Sequence, residues 1–194
     1  MSHVLIVYGT SEGQTEKVAH RLRDRLHLQG HEADAFRADR FPADLDPLDY
    51  DGVLVGGSIH GGRYQKPLLA WARAHEPSLA ARPSALFTVC MRAAEPTDAA
   101  RREVGGYVAG LVRETGWQPA ETVAFAGALR YSAYNLLLRW VMRRIARKAA
   151  AHLPGATDTS RDHEYTDWAA VDAFADAFAH RLVAAEAQEP AAVR

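Results

Sequence analysis

Five short apolar runs, separated by stretches of helical spacing, constrain this chain more than any other feature of its sequence. Val4 to Tyr8 is β-branched and apolar and stops at Gly9; from Gln14 the spacing turns helical through Val18, Leu22 and Leu26, with Gly30 as a natural stop. Ala33 to Phe36 reads as a second strand, and the Pro- and Asp-rich stretch from Phe41 to Asp51 as an exposed connection. Val53 to Val55 forms the third strand, closed by Gly56 and Gly57, and a helix is expected from about Pro67 to His75 because Leu68, Trp71 and Ala72 share a face. Ala85 to Cys90 is the fourth strand. Ala99 to Thr115 keeps Val104, Val108, Leu111 and Val112 on one side, so it reads as a helix despite its three glycines. Thr122 to Ala126 is the fifth strand, and Thr166 is the expected cap of a last helix striped by Trp168, Val171, Phe174, Phe178 and Leu182. Strands alternating with helices require crossover connections, and these produce a parallel sheet covered on both faces. The expectation is an α/β, doubly wound, five-stranded sheet in one domain over residues 1–185, with a frayed tail at 186–194.

One stretch breaks the alternation. A doubly wound domain needs only a few residues between its fifth strand and its closing helix, yet a long insertion, about 127–165, intervenes here. Within it Asn135 to Ala151 has helical spacing, with Leu138, Val141, Met142 and Ile145 opposite Arg139, Arg143, Arg144, Arg147 and Lys148. No acidic residue lies between Arg130 and Thr157. Such a helix suits the surface of an anionic membrane.

Charge and cysteine content narrow the function. Lys plus Arg number 23 against 24 Asp plus Glu, so no global basic field exists to hold nucleic acid. The lone cysteine, Cys90, cannot form an internal disulfide, and the N-terminus lacks the basic and apolar regions of a signal peptide, so a reducing cytoplasm is the expected compartment. No run approaches the ~20 apolar residues that span a bilayer, which leaves peripheral contact as the membrane role.

Two loops carry chemistry. Thr10, Ser11, Glu12, Gly13, Gln14 and Thr15 lie between the first strand and the first helix, where backbone N–H groups and the positive end of the helix dipole converge on an anion. The hydroxyls of Thr10, Ser11 and Thr15 add donors. The spacing is neither that of a nucleotide-hydrolysing P-loop nor that of a dinucleotide fingerprint. The second loop, Gly56-Gly57-Ser58-Ile59-His60-Gly61-Gly62-Arg63-Tyr64, has glycines that permit close approach of backbone to a flat ligand. In a sheet ordered 2-1-3-4-5 the first and third strands flank the point where strand order reverses, so both loops face one crevice. A phosphate site at one end and a planar slot at the other describe a mononucleotide cofactor. No metal-ligand spacing, Ser-His-Asp set or paired-carboxylate motif is present, and no catalytic acid or base is assigned.

The pattern Thr10-x-x-Gly13-x-Thr15 after a first strand, with a glycine-rich loop after the third, resembles flavodoxins. A closer resemblance is to the flavodoxin-like, menaquinone-dependent protoporphyrinogen oxidases of bacterial haem synthesis. It rests on Gly13-Gln14-Thr15, on Ser58-Ile59 before Tyr64, on Pro83-Ser84-Ala85, on Ala126-Gly127-Ala128-Leu129-Arg130-Tyr131 and on Glu164-Tyr165-Thr166-Asp167-Trp168. The resemblance implies a flavodoxin-like fold binding FMN, with oxidation of protoporphyrinogen IX and a membrane quinone as acceptor. Carried over by position, Thr10 to Thr15 hold the FMN phosphate, Ser58, Ile59, His60, Gly61 and Gly62 line the isoalloxazine, and Thr88, Val89, Cys90, Met91 and Arg92 form its other wall. Arg130, Tyr131 and Arg139 are the residues expected to meet the substrate. Glu12 departs from the hydroxyl usual in flavodoxins and is expected to turn its carboxylate to solvent while its backbone N–H binds.

Other functions fit parts of the sequence. A soluble electron-carrier flavodoxin shares the phosphate turn, but carriers are usually strongly acidic and this chain has a net charge of -1. An FMN-dependent quinone reductase with a nicotinamide donor, and a flavodoxin-fold remnant that only binds partners, are the remaining alternatives.

Overall fold

The computed structural model describes residues 1–133, 155 and 157–188. β1 (His3–Gly9), β2 (Glu32–Arg37), β3 (Gly52–Ser58), β4 (Ser84–Cys90) and β5 (Glu121–Ala126) form one sheet in the order β2-β1-β3-β4-β5. Every neighbouring pair is parallel. The doubly wound order read from the sequence is the order observed.

Alternation along the strands builds two cores. Val4, Ile6 and Tyr8 of β1 face one layer while Leu5 and Val7 face the other, so β1 is apolar throughout because both its faces are buried. Chain direction across the sheet reverses between β2 and β3, and right-handed crossovers therefore place the helices on opposite faces. α1 (Gln14–Leu28) and α5 (Trp168–Gln188) cover one face, through Val18, Leu22 and Leu26 against Val171, Phe174, Phe178 and Leu182. α2 (Lys66–Ala74), α3 (Glu76–Ala81) and α4 (Asp98–Thr115) cover the other, through Leu68, Trp71, Leu79 and Leu111, with Trp117 fully buried beneath them. Each such side chain contributes roughly 1.5–3 kcal/mol of burial.

Several boundaries differ from the expectation. β3 does not close at Gly56 but runs through Gly57 to Ser58. Both glycines are inside the sheet because neighbouring rings occupy the space their side chains would need. A Cβ on Gly56 would lie 1.9 Å from Cζ of Phe87, and one on Gly57 would lie 2.5 Å from Cδ1 of Tyr64. The short helix α3 is absent from the sequence reading. Thr166 does not cap α5: the carboxylate of Asp167 accepts the Ala170 N–H at 3.1 Å instead, while the Thr166 hydroxyl donates to the Ala126 carbonyl at 2.7 Å. α5 continues to Gln188, past the expected start of the tail. The base of the insertion is a two-stranded antiparallel stem, β6 (Ala128–Leu129) with β7 (His163–Glu164). The basic helix expected over 135–151, with Arg139, lies outside the described residues.

α5 is fastened to α1 by charge as well as by packing. Arg21 holds Asp172 through Nε at 2.7 Å and Nη2 at 2.6 Å, and one turn on Arg25 holds Asp176 at 2.6 and 2.8 Å. Hydrogen bonds from these guanidiniums hold both carboxyls below the usual carboxylate range. A carboxyl lowered in the folded state contributes stability above its unfolded pKa of about 3.9 and loses it as pH falls through the lower native value. The double variant Asp172→Asn, Asp176→Asn should therefore show a shallower loss of stability on acidification below about pH 4 than the parent, measured by urea midpoints across pH. Gly56→Ala should cost about 1–3 kcal/mol or more by overpacking against Phe87, and adding Phe87→Leu should recover part of that loss in the same assay.

Candidate functional site

β1 and β3 end level with one another, Gly9 opposite Gly57, so the loops that follow them leave the sheet side by side. The first loop turns at Gly13, whose φ of 86° is left-handed and leads directly into α1. The Thr10 hydroxyl oxygen accepts the Gly13 N–H at 2.9 Å. The first amides of α1 have no partners within the helix, and they aim at the space above the turn. Thr15 is fully buried, and its hydroxyl has no hydrogen-bond partner among the described residues. A buried hydroxyl without a partner costs free energy, so its presence beside a helix N-terminus points to an anion that completes it. Glu12 is half-buried rather than turned wholly to solvent, and its carbonyl accepts from Nη1 of Arg130 at 2.5 Å. Gln14 reaches toward the start of α5 instead of into the turn: its Nε2 donates to the Thr166 hydroxyl at 2.8 Å.

The second loop is a tight hairpin. His60 and Arg63 pair through two backbone hydrogen bonds of 3.0 and 3.3 Å, and Gly61 and Gly62 between them have φ of 58° and 80°. Two successive left-handed residues are what a two-residue hairpin turn of type I′ requires, so these glycines serve the turn. The Ile59 N–H donates to the Val89 carbonyl at 3.1 Å, which carries the β3–β4 ladder one residue further and fixes the base of the loop. Gln65 ties the two loops together. Its Nε2 donates to the Ser58 hydroxyl at 2.6 Å and to the Ser11 hydroxyl at 3.0 Å.

The expected second wall is divided. The Thr88 hydroxyl is buried against the Tyr64 hydroxyl at 2.7 Å, and Val89 belongs to the core under α1 and α5. Burial pushes the Tyr64 phenol up to about 12 and raises the Cys90 thiol, so the first is a neutral post and the second a protonated core residue near pH 7. Met91 and Arg92 emerge from the strand in a short 3-10 turn. Arg92 is held there by Glu95 at 2.6 Å and Glu103 at 2.8 Å. Of the residues expected at the substrate, Arg130 lies at the turn before α1, against Gly13, and Tyr131 is fully buried with its ring edge-on to His163. Among the described residues no group of His, Cys, Asp and Glu is arranged to hold a metal ion, and no helix is long and apolar enough to cross a membrane.

The profile of the flavodoxin domain matches residues 5–153. The chain belongs to the flavodoxin family. Its relatives include the quinone-dependent protoporphyrinogen IX dehydrogenase of Escherichia coli K12, 31% identical over 176 residues that cover 91% of this chain and 94% of that protein. The Leishmania major protein of the same name is 30% identical over 90% of this chain and 74% of its own length. Among solved structures, an archaeal flavodoxin superposes with a TM-score of 0.51 at 12% identity, over 93% of this chain and 99% of its own. That likeness shows the fold. The site has a signal that the sequence reading missed in Gln65, a polar residue one position before α2 with no periodicity to mark it. Thr166 was read only as a cap, because its partners lie far away along the chain.

The Thr15 hydroxyl gives the site a direct test. Thr15→Val is close to isosteric and removes an unpartnered buried hydroxyl, so the flavin-free protein should be as stable as the parent or more so by urea denaturation. Loss of a satisfied buried hydroxyl would lower that midpoint.

Proposed function

We propose that this protein is an FMN-dependent oxidoreductase that oxidises protoporphyrinogen IX to protoporphyrin IX, with a quinone as acceptor. The observation that carries the reading is the extent of its relationship to quinone-dependent protoporphyrinogen IX dehydrogenases, which covers 91% of the chain. The sheet alone would fit an electron carrier. A relationship spanning the insertion as well favours an enzyme, and so does a net charge of -1 in place of a carrier's acidic surface.

The residues present fit FMN. The turn from Thr10 to Thr15 offers helix N-terminal amides and the unpartnered Thr15 hydroxyl to a phosphomonoester, while Ser58 to Gly62 and Met91 to Arg92 flank a slot for the flavin ring. FMN, when bound by these residues, would supply two-electron redox chemistry between the macrocycle and the quinone, three such transfers accounting for the six electrons removed. The protein binds, orients and excludes water. Beside the hairpin, a cavity of about 450 Å³ runs between α2 and α4, its lining including Arg63, Tyr64, Leu69, Tyr107, Arg113 and Glu114. Arg63, in the hairpin, has no ion-pair partner among the described residues, and its guanidinium takes the role of meeting a propionate of the substrate. Arg130, held at the phosphate turn, is removed from that role. The quinone lies in a membrane, and the basic run Arg139, Arg143, Arg144, Arg147 and Lys148 supplies a peripheral contact worth roughly 1 kcal/mol per residue near an anionic surface.

Anaerobic mixing of the holoprotein with protoporphyrinogen IX should bleach the flavin absorbance, and menaquinone should restore it. Bleaching by a nicotinamide donor and not by the porphyrinogen would make the protein a quinone reductase. Thr15→Val should weaken FMN binding by about 1–3 kcal/mol, the range for a lost hydrogen bond to a charged group, as read by flavin fluorescence quenching.

A further inference from the structure

The peptide joining Glu12 to Gly13 is gripped at both ends. In a trans peptide the carbonyl and the N–H point in opposite directions. Here the Gly13 N–H goes to the Thr10 hydroxyl oxygen at 2.9 Å, and the Glu12 carbonyl goes to Nη1 of Arg130 at 2.5 Å. With both ends bonded, the peptide plane cannot rotate without breaking one of the two hydrogen bonds. The Thr10 oxygen accepts in this arrangement, which leaves its O–H to donate into the turn.

Arg130 does not belong to the sheet that builds the turn. It follows β6 directly, at the stem of the insertion, and the stem is itself fixed. The Tyr165 N–H donates to the Gly127 carbonyl at 3.1 Å, and Ser132 holds Asp162 through its N–H at 2.8 Å and its hydroxyl at 2.7 Å. The charged groups around the turn are otherwise engaged. Lys17 pairs with Glu164 at 2.8 Å, and Glu16 accepts the Tyr8 hydroxyl at 2.9 Å. Arg130 uses one of its five N–H groups on Glu12 among the described residues. A further observation points to a ligand at the same turn, the fully buried Thr15 hydroxyl without a partner.

We infer that Arg130 is a positioning residue for the phosphate turn, which sets the Glu12–Gly13 peptide for a phosphate dianion and thereby ties the insertion's stem to cofactor occupancy. This rests on the FMN reading above. The guanidinium acts through the carbonyl it holds, and its charge favours a dianion in the turn. A ligand lacking the phosphate gains from neither effect.

The experiment compares FMN with riboflavin, the same ring system without phosphate, binding to the apoprotein of the parent, Arg130→Lys and Arg130→Gln by fluorescence quenching. Arg130→Gln should weaken FMN on the order of 10–100-fold, the scale of a lost charge-assisted hydrogen bond. Its riboflavin affinity should stay within about twofold of the parent, and Arg130→Lys should recover part of the FMN affinity. FMN, and not riboflavin, should slow hydrogen exchange at residues 128–132 and 163–165 in the parent. Equal weakening of both ligands by Arg130→Gln would make Arg130 a structural prop, and no weakening of either would leave it without a role in binding; each result overturns the inference while leaving the FMN reading in place. A parent apoprotein that binds riboflavin as tightly as FMN would overturn that reading and the inference together.

Discussion

The parallel register of β1 on β3 is the constraint on which the site depends. It sets Gly9 against Gly57, and because strand order reverses between these two strands, the connections leaving them separate to opposite faces and open a crevice. Only at this point can a helix N-terminus and a loop from another strand face the same ligand without a crossing connection. Gln65 shows how close the two loops come, since a single amide nitrogen reaches hydroxyls on both. A one-residue slip of β1 would turn Leu5 and Val7 into the layer of Val4 and Ile6, so packing on both faces guards the register that makes the crevice.

The sheet was legible in the sequence because its central strands are buried on both faces, and an unbroken apolar run such as Val53 to Val55 or Ala85 to Cys90 has few other uses. The turn from Thr10 to Thr15 was legible because its function is carried by position, a strand end followed by a helix start. Gly56 and Gly57 were harder to read. A glycine that makes room for a ring from the next strand and one that bends a loop are identical in a sequence, and only the place of Phe87 and Tyr64 separates them. The pairs Arg21–Asp172 and Arg25–Asp176 join residues 151 apart along the chain, and nothing local marks them. Arg130 reads in the sequence as a cation to meet the substrate, and nothing local there marks the Glu12 carbonyl that it bonds. Its position follows from a stem of two-residue strands, too short for any periodicity to reveal.

The chemistry the protein has to supply is modest. Flavin-mediated transfer needs geometry, exclusion of water and a suitable field, and no side chain has to pass through a covalent intermediate. The groups near the slot match that demand. Tyr64 is locked to Thr88 with its phenol pushed up to about 12, Cys90 is held as a thiol, and Arg92 is neutralised by two glutamates. Arg63, without an ion-pair partner among the described residues, stands in the hairpin at the edge of the neighbouring cavity.

The stem of the insertion rises beside the turn from Thr10 to Thr15. Lys17 to Glu164, Gln14 to Thr166 and Arg130 to Glu12 all join the α1 turn to the residues that open and close the insertion. Each of these bonds is cheap to break alone. Because they share one short stem, displacing it would disturb all three and release the peptide that Arg130 holds. Linkage then works in both directions: whatever a filled phosphate turn contributes to seating the stem, a seated stem returns as affinity for the phosphate. A carrier must exchange electrons with partners at an open ring edge and gains nothing from such a connection.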